Sequence, residues 1–519
     1  MAKPPPVIRP HGGVRGSTLA RGSQLFGGPF GRMFRALPPA DFGPDDDASV
    51  ASLEKLAEKM VSDPEAQLNE GIDPEESGIP AAYTYFGQFI DHDLTFDPAS
   101  SLQRQNDPDA LVDYRTPRFD LDNIYGRGPD DQPYMYDKGR TFNLGLKLTG
   151  AAANPGARDL PRSNAVPPLS GATQRAIIGD PRNDENVIVS QLQGLLHRFH
   201  NKLANDHDGN GNERWEFDRV QREVRYHYQW VVLHDFLPTI VDADVLKLVL
   251  PHHHDGIVKP NLEYYKPKNE TFMPLEFSAA AYRFGHSMVR PGYRLAENVG
   301  PLPIFRKDAT PALTGFGKFP DNWAIDWNLF IDLEPRDPND HTRMQLAYRI
   351  DTALVDPLGH LPDPITTDLP PLDSLAFRNL KRGWRMRLPS GQSIARAMGL
   401  VPLPDEKIMI GKFTGDPADK QTPILDIADG AFKDNCPLWT YALAETVPTD
   451  VAVTTKSPHR KVKTYKLGPV GGRIVAETLV GLLAYDSQSF LSQDPLWKPS
   501  LAINGRFGLR ELIATALQG

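Results

Sequence analysis

The chain has 519 residues, of which 40% are hydrophobic and 24% are charged, and it includes 49 prolines. Its net charge of −9 gives no sign of a nucleic-acid partner. The single cysteine, Cys436, excludes an intrachain disulfide and a Cys-based zinc or iron–sulfur site within one chain, which indicates a reducing compartment or a bacterial-type protein.

The first 40 residues contain no acidic side chain, and their few Arg and Lys residues are spread among Gly and Pro. We predict a flexible or surface-draped arm over residues 1–40 and one large domain over residues 41–519. The start of the chain has no apolar segment typical of a secretory signal. No run of about 18 apolar residues occurs, so no transmembrane helix is expected. The compartment stays open, since both a cytoplasmic location and export by another route fit.

The apolar stretch from Tyr85 to Asp97, YFGQFIDHDLTFD, carries one polar face. Read as a helix, it places Gln88, Asp91 and His92 on one side, at spacings of three and four residues. Burying an imidazole with a carboxamide and a carboxylate is unfavourable unless other groups satisfy them. The stretch therefore predicts a buried site whose other members lie elsewhere in the chain.

A second polar cluster lies in the loop-rich region that follows, in TPRFDLDNIYG at residues 116–126. Thr116, Asp120 and Asp122 alternate with other residues, as in calcium-binding loops where side-chain oxygens and backbone carbonyls share one cation. Asp-rich loops are more often solvated turns. The pattern alone leaves both interpretations open.

A third cluster, GDPRNDEN at residues 179–186, leads into a predicted long helix. The helix is indicated by apolar residues at helical spacing, namely Ile188, Leu192, Leu195, Leu196, Phe199 and Leu203. Arg182 and Glu185 stand at its entry. Spacing alone favours a plain structural role, in which Glu185 complements the helix dipole and Arg182 lies on a loop.

The sequence FSAAAYRFGHSMVR at residues 277–290 predicts another helix, ended by Pro291. Its small residues would let a flat or bulky group approach His286 closely, with Arg283 one turn earlier. From the residues alone, His286 fits a core histidine as well as a metal ligand. Later in the chain, NLKRGWRMRLP holds several arginines and Asn379, which is a candidate for burial.

These helical patterns, and one more over residues 469–483, are separated by long connections rich in Pro and Gly. There is no repeat of fixed period and no strand–helix alternation. The sequence therefore predicts a mainly α fold, a single large helical domain with long irregular loops and little β-structure.

The order and wording of these pieces resemble the animal haem peroxidase family, part of the peroxidase–cyclooxygenase superfamily. The matching phrases are GQFIDHDLTF, DLDNIYG, GDPRNDE followed by LLHRFHNKLA, and AYRFGHSMVRP, which run in family order over roughly residues 80–485. The resemblance implies haem b and calcium as cofactors. It also implies a peroxidase that reduces hydrogen peroxide through a ferryl haem and oxidises a halide, thiocyanate or a phenolic donor.

Position by position, the resemblance implies roles around a haem. His92, Arg182 and Gln88 correspond to the distal catalytic residues, of which the glutamine helps to hold water or a halide. His286 corresponds to the proximal iron ligand, and Asn379 to the asparagine that is hydrogen-bonded to the other ring nitrogen of that ligand.

Further positions correspond to the family's haem attachment and calcium site. Asp91 and Glu185 match the carboxylates that form ester bonds to haem methyl groups in mammalian members, and Arg283 matches an arginine three residues before the proximal histidine. The resemblance also implies a set of calcium ligands beside the distal helix, namely Asp93, Thr116, Arg118 through its carbonyl, Asp120 and Asp122.

The chemistry suits these residue types. Peroxide cleavage needs a base that takes a proton from one oxygen and returns it to the departing oxygen, which a neutral imidazole can do. A guanidinium is always protonated, so it stabilises developing charge without competing for that proton.

This sequence departs from the family pattern at two places. Mammalian myeloperoxidase-type members have a methionine after the haem-linked glutamate that forms a sulfonium bond, but Asn186 stands there in this chain. We therefore expect bromide, iodide, thiocyanate or aromatic donors rather than chloride. Around Asn379, NLKRGWRMRLP matches the family's NxQRxRDHGLP only loosely.

Two alternatives stay open. A fatty-acid dioxygenase of the same superfamily would hold a radical tyrosine three residues before the proximal histidine, where this chain has Arg283, with Tyr282 out of register by one. A non-catalytic haem-binding adhesion or scaffold protein would not require His92, Arg182 and Gln88 together.

Overall fold

A computed structural model of the chain describes residues 30–64, 73–95, 115–163, 174–207, 216–253, 258–268, 271–305, 311–337, 339–362, 372–417, 419–456 and 460–519. Within these ranges the α-helices are α1 (Asp46–Met60), α2 (Ala82–Leu94), α3 (Asp122–Tyr125), α4 (Val187–Asp206), α5 (Phe217–Val231), α6 (Leu237–Ile240), α7 (Ala243–Val249), α8 (Leu275–Ser278), α9 (Asp356–Gly359), α10 (Leu375–Arg385), α11 (Gly391–Ala397), α12 (Leu438–Ala444), α13 (Gly471–Ala484), α14 (Phe490–Gln493) and α15 (Leu509–Ala516).

Short 3₁₀ turns and one π-helical turn add to these helices. The 3₁₀ turns are Pro133–Met135, Pro181–Asp184, Ala281–His286, Trp327–Leu329, Asp405–Lys407, Ile424–Asp426 and Ala428–Gly430, and the π turn is Val232–Phe236.

The strands are short and form only two-stranded sheets within the described ranges. They are β1 (Phe30–Gly31), β2 (Glu76–Pro80), β3 (Tyr136–Asp137), β4 (Thr141–Phe142), β5 (Met273–Pro274), β6 (Gly292–Tyr293), β7 (Leu302–Pro303), β8 (Leu346–Tyr348), β9 (Met409–Gly411), β10 (Gln421–Pro423), β11 (Val447–Val453) and β12 (Arg460–Lys466). β1 pairs with β5 in parallel, and β2–β8, β3–β4, β6–β7, β9–β10 and β11–β12 are antiparallel. The predicted mainly α fold with little β-structure is confirmed.

The helix α4 lies in the middle of one continuous hydrophobic core and packs against α2, α5 and α15. The side chain of Asn186 caps its first turn by accepting hydrogen bonds from the N–H groups of Ile188 (3.1 Å) and Val189 (2.8 Å). Apolar residues at helical spacing then bury most of its length. The helix predicted after Asn186 is thereby confirmed.

The helix predicted over residues 277–290 is wrong. The structure has the short helix α8 and then a 3₁₀ turn that ends at His286. The backbone breaks at Ala280 (φ −140°, ψ −80°), and the Ser278 carbonyl accepts a hydrogen bond from Arg283 Nε at 3.1 Å. The non-helical backbone at Ala280 therefore ends the regular helix before the 3₁₀ turn begins.

Of the predicted arm, residues 1–29 lie outside the described residues. In its described part, β1 pairs with β5, and Arg32 Nη2 donates to the Met386 carbonyl at 2.6 Å. The boundary at residue 40 stays a prediction. None of the described helices is both long and apolar enough to span a membrane.

Candidate active site

The helix α2 and the 3₁₀ turn Ala281–His286 are mostly buried, but several of their residues are partly accessible to solvent. These residues mark a cleft between the two segments. On α2 the accessible residues are Gly87, Gln88 and Asp91, and on the turn they include Arg283 and His286. On the turn, the Tyr282 hydroxyl donates to the Gly87 carbonyl of α2 at 3.2 Å, so the two segments pack against each other. The polar face predicted on α2 therefore opens towards His286.

His92 is buried on α2, and its tautomer is fixed by an amide. Its Nδ1 lies 2.7 Å from Asn183 Oδ1, and Asn183 Nδ2 in turn donates to Gln193 Oε1 at 2.8 Å. Because Asn183 presents its oxygen, Nδ1 of His92 carries the proton and Nε2 keeps its lone pair. Burial, aided by the charge of Arg182, lowers the pKa of His92 to about 4, so the ring is neutral at pH 7.

Glu185 joins His92 and Gln88 at the end of the 3₁₀ turn Pro181–Asp184. Its Oε1 lies 3.8 Å from His92 Nε2 and accepts a short hydrogen bond from Gln88 Nε2. Burial raises the pKa of Glu185 to about 7, although the charge of Arg182 opposes the shift. Asn186 Nδ2 donates to Gln88 Oε1 at 3.2 Å, so Asn186 both caps α4 and orients Gln88.

Arg182 is held by acceptors from two segments. Its Nη2 lies 2.8 Å from Asp180 Oδ2 and donates to the carbonyls of Thr95 (2.6 Å) and His92 (3.1 Å). Asp180 also binds Arg115 through Nε at 3.1 Å. Burial alone would raise the pKa of Asp180, but Arg182 and Arg115 outweigh it and hold this pKa well below its usual range. The ionised Asp180 thus fixes Arg182 against the last turn of α2.

His286 is oriented by an amide on α10. Its Nδ1 lies 2.7 Å from the side-chain nitrogen of Asn379, as implied by the resemblance despite the loose match of the surrounding sequence. Turning that amide by 180° would place its oxygen at Nδ1, where it could accept a proton from the ring. Nε2 of His286 would then offer a lone pair into the cleft, and burial lowers the pKa of His286 to about 3.

Arg283 and Tyr282 connect the turn to its surroundings. The Arg283 carbonyl accepts a hydrogen bond from Trp439 Nε1 at 3.2 Å. Tyr282 is buried, stacks on Phe277 with ring centres 4.4 Å apart, and donates from its hydroxyl to the Gly87 carbonyl at 3.2 Å. Tyr282 therefore serves as a packing bridge between the turn and α2.

The cleft suits a haem in its donor chemistry, and there is open space beside the candidate iron ligand. A Cβ added to Gly285, beside His286, would meet no atom within 4 Å, so space opens next to the candidate iron ligand. A neutral imidazole with its second nitrogen held by an amide is a common haem ligand. Three other charged side chains face the cleft from different elements, namely Asp91, Glu185 and Arg283.

The candidate calcium ligands lie together behind the last turn of α2. Asp93 is fully buried, neither of its carboxylate oxygens accepts a hydrogen bond of ordinary length, and its pKa is raised well above the usual value by burial and then by Asp120 and Asp122. Thr116 Oγ1 donates to Asp120 Oδ2 at 2.5 Å, and Arg118 follows Thr116 closely through a backbone hydrogen bond of 2.7 Å.

Hard oxygen donors of this kind suit calcium. In the described part of the chain, however, no three His, Cys, Asp or Glu side chains are arranged to hold a metal ion. A cation would therefore have to draw the carboxylates of Asp93, Asp120 and Asp122 together.

Sequence reasoning missed Asn183 and Asp180. Both are fully buried polar residues within the GDPRNDE phrase, and they hold His92 and Arg182 respectively. His92, the partner of Asn183, lies 91 positions earlier in the chain. Arg115, the distant partner of Asp180, lies 65 positions earlier. The only signal was the density of polar residues in that phrase, which does not identify partners.

The family model described as "Animal haem peroxidase" matches residues 99–310. This range contains Arg182, Glu185 and His286 and begins after His92. Among curated proteins, the chain is 32% identical over 208 residues to chorion peroxidase of Aedes aegypti, covering 38% of this chain and 24% of that protein. It is 27% identical over 314 residues to Dual oxidase 1 of Caenorhabditis elegans, covering 57% of this chain and 19% of that protein.

The chain is also 27% identical over 183 residues to thyroid peroxidase of Mus musculus, covering 33% of this chain and 19% of that protein. It thus spans at most 24% of the length of these three relatives.

Solved structures share the fold. Peroxidase A from Dictyostelium discoideum aligns with a TM-score of 0.54 at 16% identity, covering 93% of this chain and 94% of that chain. A fatty acid alpha-dioxygenase from Arabidopsis thaliana aligns with a TM-score of 0.50 at 14% identity, covering 92% of this chain and 74% of that chain. Because the two differ in the activity they are named for, the fold does not choose between peroxidase and dioxygenase.

Proposed function

We propose that this chain, in which residues 99–310 match the animal haem peroxidase model, is a haem peroxidase of that family that reduces hydrogen peroxide and oxidises a small electron donor. The observation that carries the proposal is that two histidines, one on α2 and one on the 3₁₀ turn that packs against it, are each held at Nδ1 by an asparagine. His92 has its proton fixed on Nδ1 by Asn183, and His286 is oriented by Asn379.

In this proposal His286 is the iron ligand, and haem supplies the iron on which peroxide is reduced. Arg283 lies on the same turn as His286, and Arg382 lies one turn after Asn379 on α10. These two cations are candidates for holding the acidic edge of the haem. Asp91 and Glu185 are candidates for ester bonds to its methyl groups.

The protein's own residues account for the movement of protons. His92 takes a proton at Nε2 from peroxide and returns it to the departing oxygen, because its Nδ1 is already protonated and its pKa of about 4 leaves Nε2 free at neutral pH. Arg182 stabilises negative charge that develops beside the last turn of α2. Gln88, held between Glu185 and Asn186, orients water or a halide.

The proposed donors are bromide, iodide, thiocyanate and phenols. Asn186 cannot form the sulfonium bond that methionine forms in mammalian myeloperoxidase-type members, and here its side chain caps α4 and contacts Gln88. We propose in addition that calcium binds at Asp93, Thr116, the Arg118 carbonyl, Asp120 and Asp122. This would neutralise the buried carboxylate next to His92.

Replacing His92 with Ala tests the function directly. The variant should bind haem normally, because the iron ligand is His286, but peroxide should oxidise it roughly 10²–10⁴-fold more slowly, as expected for loss of an acid–base group. The measurement is stopped-flow absorbance of the haem after mixing with peroxide. His360→Ala, a change at a side chain that is 62% exposed, is the matched control.

An unchanged rate in His92→Ala would overturn the assignment. Oxygen uptake with linoleate in the absence of peroxide would instead indicate a dioxygenase.

A further inference from the structure

Two adjoining cavities lie apart from the candidate haem cleft. The larger has a volume of about 510 Å³ and the smaller a volume of about 250 Å³. Both have Arg349 and Asp351 in their walls, so they adjoin at these two residues, and we call the pair the Arg349 cleft. None of the side chains proposed to contact haem lines it.

The Arg349 cleft offers positive charge that the protein leaves unused. Arg349 Nη1 donates to the Phe413 carbonyl at 2.6 Å, but its buried Nε has no hydrogen-bond partner. A buried N–H without an acceptor is unfavourable unless a ligand or water satisfies it. Lys407 lines the same cavity, is exposed, and has no ionic partner among the residues that the structure describes.

The opposite side of the larger cavity is aromatic and apolar. The Tyr465 ring lies with its centre 5.5 Å from the Arg349 guanidinium, and Phe413 is 53% exposed beside it. Met409 and Leu443 complete this side. An exposed phenylalanine next to a cation and a tyrosine ring suits a ligand that has a flat apolar part and an anionic end.

The acidic side chains in the walls do not cancel this positive charge. Burial raises the pKa of Asp351 to about 7, with Arg349 opposing and Asp419 adding to the shift, so a large fraction of Asp351 is uncharged near neutral pH. In the smaller cavity Glu75 forms a close ion pair with Lys412. Arg349 and Lys407 therefore remain as the cations available to an anion.

We propose that the Arg349 cleft binds a small aromatic carboxylate. The carboxylate pairs with the Arg349 guanidinium and with Lys407, and the ring packs against Tyr465 and Phe413. A carboxylate matches the planar donor geometry of arginine better than a halide does. The proposal stands without the peroxidase activity, because binding is measured at equilibrium and no haem-facing residue takes part.

The test is isothermal titration calorimetry of the purified protein with 4-hydroxybenzoate as the probe. We expect one site per chain, and Arg349→Ala and Lys407→Ala should each raise Kd roughly tenfold or more, since each removes a charge-assisted hydrogen bond. Phenol, which lacks the carboxylate, should bind more weakly by a similar factor. Lys461→Ala, at an exposed lysine of β12 outside the cleft, should leave Kd unchanged.

Lys407 is exposed, so its replacement keeps the test valid if Arg349→Ala does not fold.

Ser287, the residue after His286, lines the smaller cavity, so binding at the haem must be separated from binding in the cleft. Repeating the titration with the haem saturated by cyanide does this. Loss of binding with cyanide, no binding of the probe at millimolar concentration, or equal Kd values in Lys407→Ala and Lys461→Ala would each overturn the proposal.

Discussion

At the scale of single residues, two asparagines prepare two histidines for opposite tasks. Asn183 faces Nδ1 of His92 with its oxygen, which leaves a lone pair on Nε2 to take up a proton. With its amide turned so that the oxygen faces Nδ1 of His286, Asn379 would hold the ring proton there and leave Nε2 for a metal. In both cases the pKa of the imidazole is lowered by burial, so neither ring is charged at neutral pH. The difference in role comes from which cleft wall each ring occupies.

The carboxylates of Asp91 and Glu185 give a prediction at this scale. Both face the cleft. Burial raises the pKa of Glu185 to about 7, so this carboxyl group is partly protonated near neutral pH. If each forms an ester with haem, acid–acetone extraction after peroxide treatment should leave haem on the wild-type protein. Asp91→Ala and Glu185→Ala should each still retain haem through the remaining ester, and only the double variant should release all of it.

Glu58→Ala, at an exposed glutamate of α1, should retain haem as the wild type does. Complete extraction of haem from the wild-type protein would show that neither ester forms.

At the scale of elements, one buried aspartate joins three segments. Asp180 starts the 3₁₀ turn Pro181–Asp184, binds Arg115 on the loop before α3, and positions Arg182 against the carbonyls that end α2. With Asp180 fully buried, these pairs are not screened by solvent. The relative position of His92 and Arg182 therefore depends on this carboxylate.

Replacing Asp180 with Asn should destabilise the fold by about 3–5 kcal/mol at pH 7, because the buried Arg115 and the partly buried Arg182 lose their counter-charge. The folded pKa of Asp180 lies below its usual value of 3.8, so its stabilising effect is full above that value and is lost as the pH falls through the folded pKa. The stability difference between wild type and variant should therefore shrink on acidification. Urea unfolding from pH 7 to pH 3 measures this difference.

Asp131→Asn, a change at an exposed carboxylate, should follow the wild type at every pH. A difference for Asp180→Asn that stays constant down to pH 3 would contradict the assignment of Asp180 as the ionised partner.

The same elements show what the sequence could predict. Periodicity predicted α2 and α4, because an apolar stripe repeats along them. It failed at residues 277–290, where apolar and small residues also fit a helix but the backbone at Ala280 is not helical. Asp180 was missed because no local pattern shows that Arg115, 65 residues away, would be its partner. Contacts between distant segments are set by tertiary packing, not by spacing.

At the scale of the whole molecule, the candidate site draws on segments that span most of the chain yet share one hydrophobic core. Asp93 follows His92 on α2, and Asp120 and Asp122 belong to the loop that leads into α3. A cation shared by these carboxylates would tie that loop to the helix that holds the proposed acid–base group. Loss of this cation would lower the stability of the fold and would also loosen the position of His92.

Calcium removal gives the corresponding prediction. Calcium at roughly 100 times its Kd should stabilise the wild-type protein by about 2.7 kcal/mol, so the melting temperature should fall when EDTA replaces calcium. Asp93→Asn should lose this response. Without calcium the Asp93→Asn variant should be at least as stable as the wild type, because the substitution removes a buried carboxylate whose oxygens accept no ordinary hydrogen bond.

Differential scanning calorimetry with and without calcium measures both effects, with Asp130→Asn at an exposed position as the control. Equal melting temperatures of the wild type in calcium and in EDTA would rule out calcium at Asp93.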